Sequence, residues 1–191
     1  MHISLYPGIY IIGGGYLSDK TDCTTLLICD EECALIGSGN GLTLYTLIRN
    51  YIELGYSIKQ LKYLVLPLPL ACIAGACKHL KLLFSHIYIV APSSIAKALR
   101  YGYDIARQKY LYEPCPVNYE TNIVRIGKRI ISLFIDLNIK SIVLTIARNS
   151  SIELSLALVF KEYIKEFNIK NSNITRICLL DEPLCFQTHN L

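Results

Sequence analysis

Hydrophobic and polar positions recur along the chain with two periods, and they divide it into strands alternating with helices. Short runs rich in Ile, Val and Tyr predict strands at Gly8 to Ile12, Thr24 to Cys29, Cys33 to Ile36, Tyr63 to Leu66, Ile87 to Val90, Ile123 to Ile126, Ile130 to Ile135, Ile142 to Ile146 and Ile177 to Leu180. Runs with apolar residues two to four positions apart predict helices over Leu42 to Leu54, Ala74 to Phe84, Ser94 to Tyr101 and Ile152 to Phe167. In the first of these, Leu42, Tyr45, Leu47, Ile48, Tyr51 and Ile52 form a stripe suited to facing a sheet. Ser93-Ser94 after Pro92 reads as the N-cap of the third. Gly102 to Asn122 is the least regular stretch. Tyr101, Tyr103, Tyr110, Tyr112 and Tyr119 lie in or beside it, where they either cover a core edge with wet hydroxyls or line a binding surface. Without a linker, repeat or low-complexity segment, residues 1–191 read as one α/β (α+β) domain.

Such a length buries a sizeable core. The composition is 52% hydrophobic and 18% charged, apolar for a free monomer, which leaves surface for a protein partner or a homo-oligomer. The net charge of +4, from 19 basic against 15 acidic residues without a basic block, argues against nucleic acid. No uncharged apolar span is long enough to cross a bilayer, and Met1 to Pro7 lacks the make-up of a signal peptide. The expectation is therefore no membrane and a cytoplasmic location. Eight cysteines, at positions 23, 29, 33, 72, 77, 115, 178 and 185, contain no C-x-x-C pair and in that compartment read mostly as small core residues. A bridge from Cys72 to Cys77 requires that stretch not to be helical. The N-x-[ST] matches at Asn149 and Asn173 carry nothing without secretion.

Motifs that usually carry chemistry are incomplete. Gly37-Ser38-Gly39-Asn40-Gly41 lies between a strand and a helix, but Leu42 stands where a dinucleotide fingerprint needs its third glycine, and Leu66 ends the next strand without a ribose-binding acid. A tight turn with positive φ is the simpler reading. Gly13-Gly14-Gly15, followed by Tyr16 to Lys20, reads as a hairpin connection. The four histidines show no ligand spacing, and His79 reads as a helix-surface residue. Asp19, Asp22, Asp30, Glu31 and Glu32 form an acidic patch, read as solvated loop. Cys72 precedes a helix, so it is either a nucleophile activated there or a small apolar plug that serine could replace at little cost.

Leu66-Pro67-Leu68-Pro69-Leu70-Ala71-Cys72-Ile73-Ala74-Gly75-Ala76 follows a strand, precedes a helix, and contains neither histidine nor carboxylate. Upstream lie Gly8 to Gly15 with Asp22 to Ile28, and Ala34-Leu35-Ile36-Gly37-Ser38-Gly39-Asn40-Gly41. Together these resemble the metallo-β-lactamase fold superfamily: its opening hairpin, its L-I-D-T-G-S-G turn with Gly37 replacing the acid, and its T-H-x-H-x-D-H-x-x-G signature with every ligand replaced. On that overlay Pro67 and Pro69 take the first two histidines, Ala71 the aspartate and Cys72 the last histidine. Tyr112 to Asn118 is similar to a linker in some archaeal-type members. Ala147-Arg148-Asn149-Ser150 matches the P-G-H-[ST] turn, with Asn149 in the histidine's place, and Asp181 matches the bridging aspartate. His189 is a poor candidate for the final ligand.

The resemblance implies a four-layer αββα sandwich, here with a shortened C-terminal half. It also implies a metal-dependent hydrolase of thioesters, lactams, phosphoesters or related bonds, loaded with zinc or iron. Proline and alanine side chains have no lone pair for a metal. The expectation is therefore no metal and no cofactor, with a binding or assembly role in place of catalysis. A hydrolase or small-ligand binder reusing Cys72, Asp181 and the tyrosines is the alternative. Each proline fixes φ and extends the residue before it, so the stiff loop should present Leu66, Leu68 and Leu70 as a plug of the vestigial site.

Overall fold

In the computed structural model, which describes residues 1–165, 167 and 174–188, the apolar runs near the N-terminus pair into one sheet. Its strands are β1 (Ile3–Tyr6), β2 (Ile9–Gly13), β3 (Thr25–Cys29), β4 (Cys33–Ile36), β5 (Leu61–Val65) and β6 (Tyr88–Ala91). A small ribbon, β7 (Tyr103–Asp104) with β8 (Lys109–Tyr110), precedes β9 (Tyr119–Glu120), which joins the sheet's edge in the order β1-β2-β3-β4-β5-β6-β9. From β1 to β4 the pairing is antiparallel, and from β4 to β9 it is parallel. The crossovers of the parallel part are helical. They comprise α1 (Leu44–Glu53), α2 (Ala71–Ala74), α3 (Cys77–Leu83) and α4 (Ser93–Tyr101).

The second sheet is a meander, β10 (Ile123–Ile126), β11 (Arg129–Asp136), β12 (Ser141–Arg148) and β13 (Ser151–Val159), extended by β14 (Arg176–Leu179) and β15 (Cys185–Gln187). Two apolar layers follow from strand alternation. Ile9, Ile11, Leu26, Ile28, Ile36 and Val65 of the first sheet meet Val124, Ile131, Ile142, Leu144, Leu156 and Leu158 of the second. Leu27, Leu35, Leu64 and Ile89, on the first sheet's other face, are covered by Leu47 and Tyr51 of α1, Leu80 of α3 and Leu99 of α4. The arrangement is a mixed α/β sandwich. Among the described residues, the 3₁₀ turn Lys161–Tyr163, Phe167 and Ile174 pack on the second sheet's outer face near Val159 and Ile177.

Most predicted elements are present with shifted ends, but one changes type. The run Ile152 to Phe167, expected as a helix, is the strand β13 and then the 3₁₀ turn; residue 166 lies outside the described residues. Ile152, Leu154, Leu156 and Leu158 alternate with Glu153, Ser155 and Ala157, and antiparallel β12 and parallel β14 pair with them from both sides. The helix expected over Ala74 to Phe84 is broken at Gly75 and Ala76 into α2 and α3. An added Cβ at Gly75 would meet the carbonyl of Asn40 at 2.4 Å, so glycine lets the two backbones touch. Ser93 opens α4 without a side-chain cap, Pro92 holding the N-cap position. Gly13 to Lys20 belongs to the hairpin connection expected there, between the antiparallel neighbours β2 and β3, and Gly15–Leu17 forms a 3₁₀ turn within it.

The end of the sandwich at Pro7, Cys29 and Asp30 is held by ions. Arg129, 2% exposed, donates from Nε to Glu153 Oε2 at 2.6 Å and from its other nitrogens to the carbonyls of Pro7 (2.6 Å) and Cys29. Arg148 contacts Glu153 at 3.3 Å and Asp30 at 2.6 Å. A bulge opposite Ile146 and Ala147 interrupts the alternation at Glu153. Removing one partner of a buried pair strands the other's charge. Glu153→Ala should therefore cost about 3 to 5 kcal/mol in chemical denaturation, against under about 1 kcal/mol for Glu120→Ala in the exposed pair with Arg100.

Candidate functional site

Strands β4 and β5 both end at one edge of the sandwich, and the loops that leave them build a cavity of about 410 Å³. Leu70, Ala71 and Cys72 from the loop after β5 line it, with Thr21, Asn40 and Leu42 on one side. Asp104, Ala106, Arg107, Lys140, Phe160 and Glu162 contribute the remainder. The stiff loop behaves as its prolines dictate. Leu66, Leu68 and Leu70 are at most 2% exposed: Leu68 and Leu70 join the core between the sheets and Leu66 the layer under the helices. Asp104 secures the loop's far end by accepting the Ala71 N–H at 2.8 Å, and it also accepts those of Ala106 and Arg107 at 2.9 Å.

The Gly37 to Gly41 turn is held by a carboxylate of this same chain. Gly37, Gly39 and Gly41 all adopt positive φ, as expected of a tight turn. Asp22, 3% exposed, accepts the Asn40 N–H at 2.7 Å, the Ser18 hydroxyl at 2.6 Å and the Thr43 hydroxyl. An added Cβ at Gly39 would stand 3.0 Å from Asp22 Oδ1. The anionic position of this turn is thus filled internally. Asp22, expected as solvated loop, is a buried structural group.

No family model matches the sequence, and no curated protein matches it either. Solved structures do. A Cronobacter sakazakii metallo-beta-lactamase with a HARLDQ motif is 14% identical, with a TM-score of 0.70 over 94% of this chain and 77% of that one. The metallo-beta-lactamase GOB-18 from Elizabethkingia meningoseptica is 16% identical, with a TM-score of 0.69 over 91% and 73%. A subclass B3 enzyme from a soil metagenome library gives 11% and 0.71 over 95% and 79%. The chain has the metallo-β-lactamase fold.

The positions that the resemblance assigns to metal ligands scatter on this metallo-β-lactamase frame. Pro67 and Pro69 are buried, while Ala71 and Cys72 face the cavity. Asp181 follows β14 near the cavity, outside its lining, and its Oδ1 accepts the Lys161 N–H at 3.1 Å. Asn149 does not join them. It sits in the β12–β13 turn with φ +49°, beyond Arg148, whereas Lys140 at the other end of β12 lines the cavity. Eight strand residues at about 3.4 Å each put roughly 27 Å between the two ends, so Asn149 occupies no ligand position of this site. His189 lies outside the described residues, as does the sequon at Asn173. Zinc or iron does not fit what remains. Among the described residues no group of three or more His, Cys, Asp or Glu could hold a metal, and the cavity's buried acid, Asp104, is already engaged by three N–H groups.

The cysteines overturn the reading of reduced core residues. Cys23 is bonded to Cys72, Cys29 to Cys33 and Cys178 to Cys185; Cys77 and Cys115 remain thiols. Cys72 is therefore neither a free plug nor a nucleophile, and its partner is Cys23, not Cys77. A hydrogen bond to Cys115 and burial push the Cys77 thiol well above its ordinary pKa, so it too stays un-ionised. The reading of reduced cysteines rested on the expected cytoplasmic location, and three disulfides lend that location no support. No helix among the described residues is long and apolar enough to cross a membrane.

Two measurements check these assignments. Thiol titration of the denatured, unreduced protein should find two reactive cysteines of the eight, and Cys72→Ser should raise that to three while lowering stability by about 2 to 5 kcal/mol. Leu68→Ala should cost a similar amount by opening a cavity in the core between the sheets, as read from urea denaturation.

Proposed function

We propose that this chain is a metal-free, non-catalytic protein with the metallo-β-lactamase fold, whose remaining cavity serves binding. The Cys23–Cys72 bridge is the observation that carries this reading. It consumes the one side chain in the replaced signature with metal-ligand character, and Pro67, Pro69 and Ala71 offer none. A cavity of about 410 Å³ is of small-ligand size, and its lining mixes apolar groups with the cations Arg107 and Lys140. Lys140 rests over the Tyr163 ring at 5.5 Å, which holds its ammonium beside the opening. The rival hydrolase using Cys72 and Asp181 loses its nucleophile to the disulfide.

Elemental analysis of protein purified without chelator should find zinc, iron and manganese each well below one per chain. Chelator should leave Tm unchanged, because no metal binding energy is linked to folding. Nitrocefin and a thioester should turn over at the uncatalysed rate, with or without added zinc. One or two metals per chain that survive dialysis, or hydrolysis that zinc restores, would sink the reading.

A further inference from the structure

Separate segments of the chain bring charged side chains to the cavity of about 410 Å³. Arg107 comes from the turn of the β7–β8 ribbon, Lys140 from the β11–β12 turn and Glu162 from the 3₁₀ turn after β13. Among the described residues, none of these side chains enters an ion pair of this chain. Lys140 meets the Tyr163 hydroxyl at 3.4 Å and the face of that ring. The other polar groups of the lining are engaged. Asp104 accepts the N–H groups of Ala71, Ala106 and Arg107, and Asn40 donates to the Thr21 hydroxyl while its own oxygen accepts the Leu42 N–H at 2.8 Å. Two cations and one carboxylate therefore stay free for a ligand. The other half of the lining is apolar: Leu42, Leu70, Ala71, Cys72, Ala106 and Phe160.

We infer that the cavity takes a short peptide with both ends free, an inference that rests on the reading of this cavity as a binding site. Arg107 and Lys140 hold the peptide's carboxylate, Glu162 holds its ammonium, and its side chains lie against the apolar half of the lining. Charge balance selects that class. Arg107 and Lys140 carry two positive charges and Asp104 and Glu162 two negative ones, so the lining as a whole is neutral. A multiply charged anion such as a phosphate ester meets no net positive field here. A plain hydrocarbon takes water from the free charges and replaces it with nothing. A ligand with one charge of each sign on an apolar body answers both objections. The Arg107 guanidinium also offers two parallel N–H donors, the geometry that a carboxylate accepts. Size separates a peptide from a single amino acid. About 410 Å³ falls in the range of sites for drug-sized ligands, which suits about two or three residues.

Isothermal titration with the dipeptide leucyl-leucine should show saturable binding of one peptide per chain at millimolar concentrations or below. Blocking its amine by acetylation, or its carboxylate by amidation, should weaken binding by about five- to tenfold each, between the worth of an exposed ion pair and that of a charge-assisted hydrogen bond. Glu162→Gln should weaken the free peptide by a similar factor and leave the acetylated one unaffected. Arg107→Gln should do the same for the free and the amidated forms. Both side chains are exposed, so the variants should keep the parent's circular dichroism. A dipeptide that does not bind overturns the inference, as do blocked forms that bind as tightly as the free one. So does an acetylated peptide that Glu162→Gln weakens as much as the free peptide. None of these outcomes touches the metal-free, non-catalytic reading, which falls instead on metal content and turnover.

Discussion

The bridge between Cys23 and Cys72 ties the segment that enters β3 to the loop that leaves β5, and the site is arranged around it. Closing a loop of this size restricts the unfolded chain by about 4 kcal/mol in the chain-entropy account. The covalent bond is joined by two main-chain hydrogen bonds, from Cys23 to the Cys72 carbonyl at 3.1 Å and from Thr24 to the Leu180 carbonyl at 2.6 Å. One residue earlier in the chain, Asp22 holds the glycine turn. Three segments distant in sequence, around residues 22, 39 and 72, are thereby locked to one another by groups of this chain. In a metal-centred site the ion gathers ligands from distant loops; here a disulfide and a buried carboxylate do so.

That exchange has an energetic logic. Ionised ligands gathered without their metal would repel one another and lose their hydration, a cost of several kcal/mol. Filling the same loop with Leu66, Leu68 and Leu70 replaces that cost by hydrocarbon burial, about 1.5 to 3 kcal/mol for each leucine. Proline contributes by restricting the unfolded chain, and its missing N–H leaves no donor to be satisfied in a buried loop. Asp104, reaching from the ribbon to the Ala71 N–H, fixes the loop where Pro69 releases it. These groups form and fasten one wall of the cavity.

Much of this was legible in the sequence where the residues carried their own punctuation. Cys33 to Ile36 and Ile123 to Ile126 were bounded correctly, because acidic or glycine-rich turns flank them. The replaced signature was also legible, since proline and alanine exclude metal ligation whatever the fold. Three things were not. The run from Ile152 alternates in sequence between apolar and smaller or polar residues, but its alanine and leucines suit a helix equally, and only the strands on both sides decide for β13. Cysteine spacing does not reveal pairing, and Cys23 and Cys72 meet only because the two loops converge. Asn149 matched a motif by local order, whereas the register of β12 sets it at the far end of the sheet.

The apolar composition acquires a location only in the folded chain. A fraction of 52% hydrophobic residues says that more apolar surface exists than one small core needs, not where the excess lies. The first sheet uses both faces, one against the second sheet and one under α1 to α4, so its strands read as nearly continuous apolar runs, as in Leu26, Leu27 and Ile28. The second sheet has the same kind of inner face, and among the described residues its outer side is roofed near β13 and β14. Strands β11 and β12 nevertheless keep Ile130, Phe134 and Val143 on that outer side, where a solvated strand would carry lysine or glutamate. The pattern is that of a sheet with two apolar faces in a chain whose described residues cover one of them fully and the other only in part.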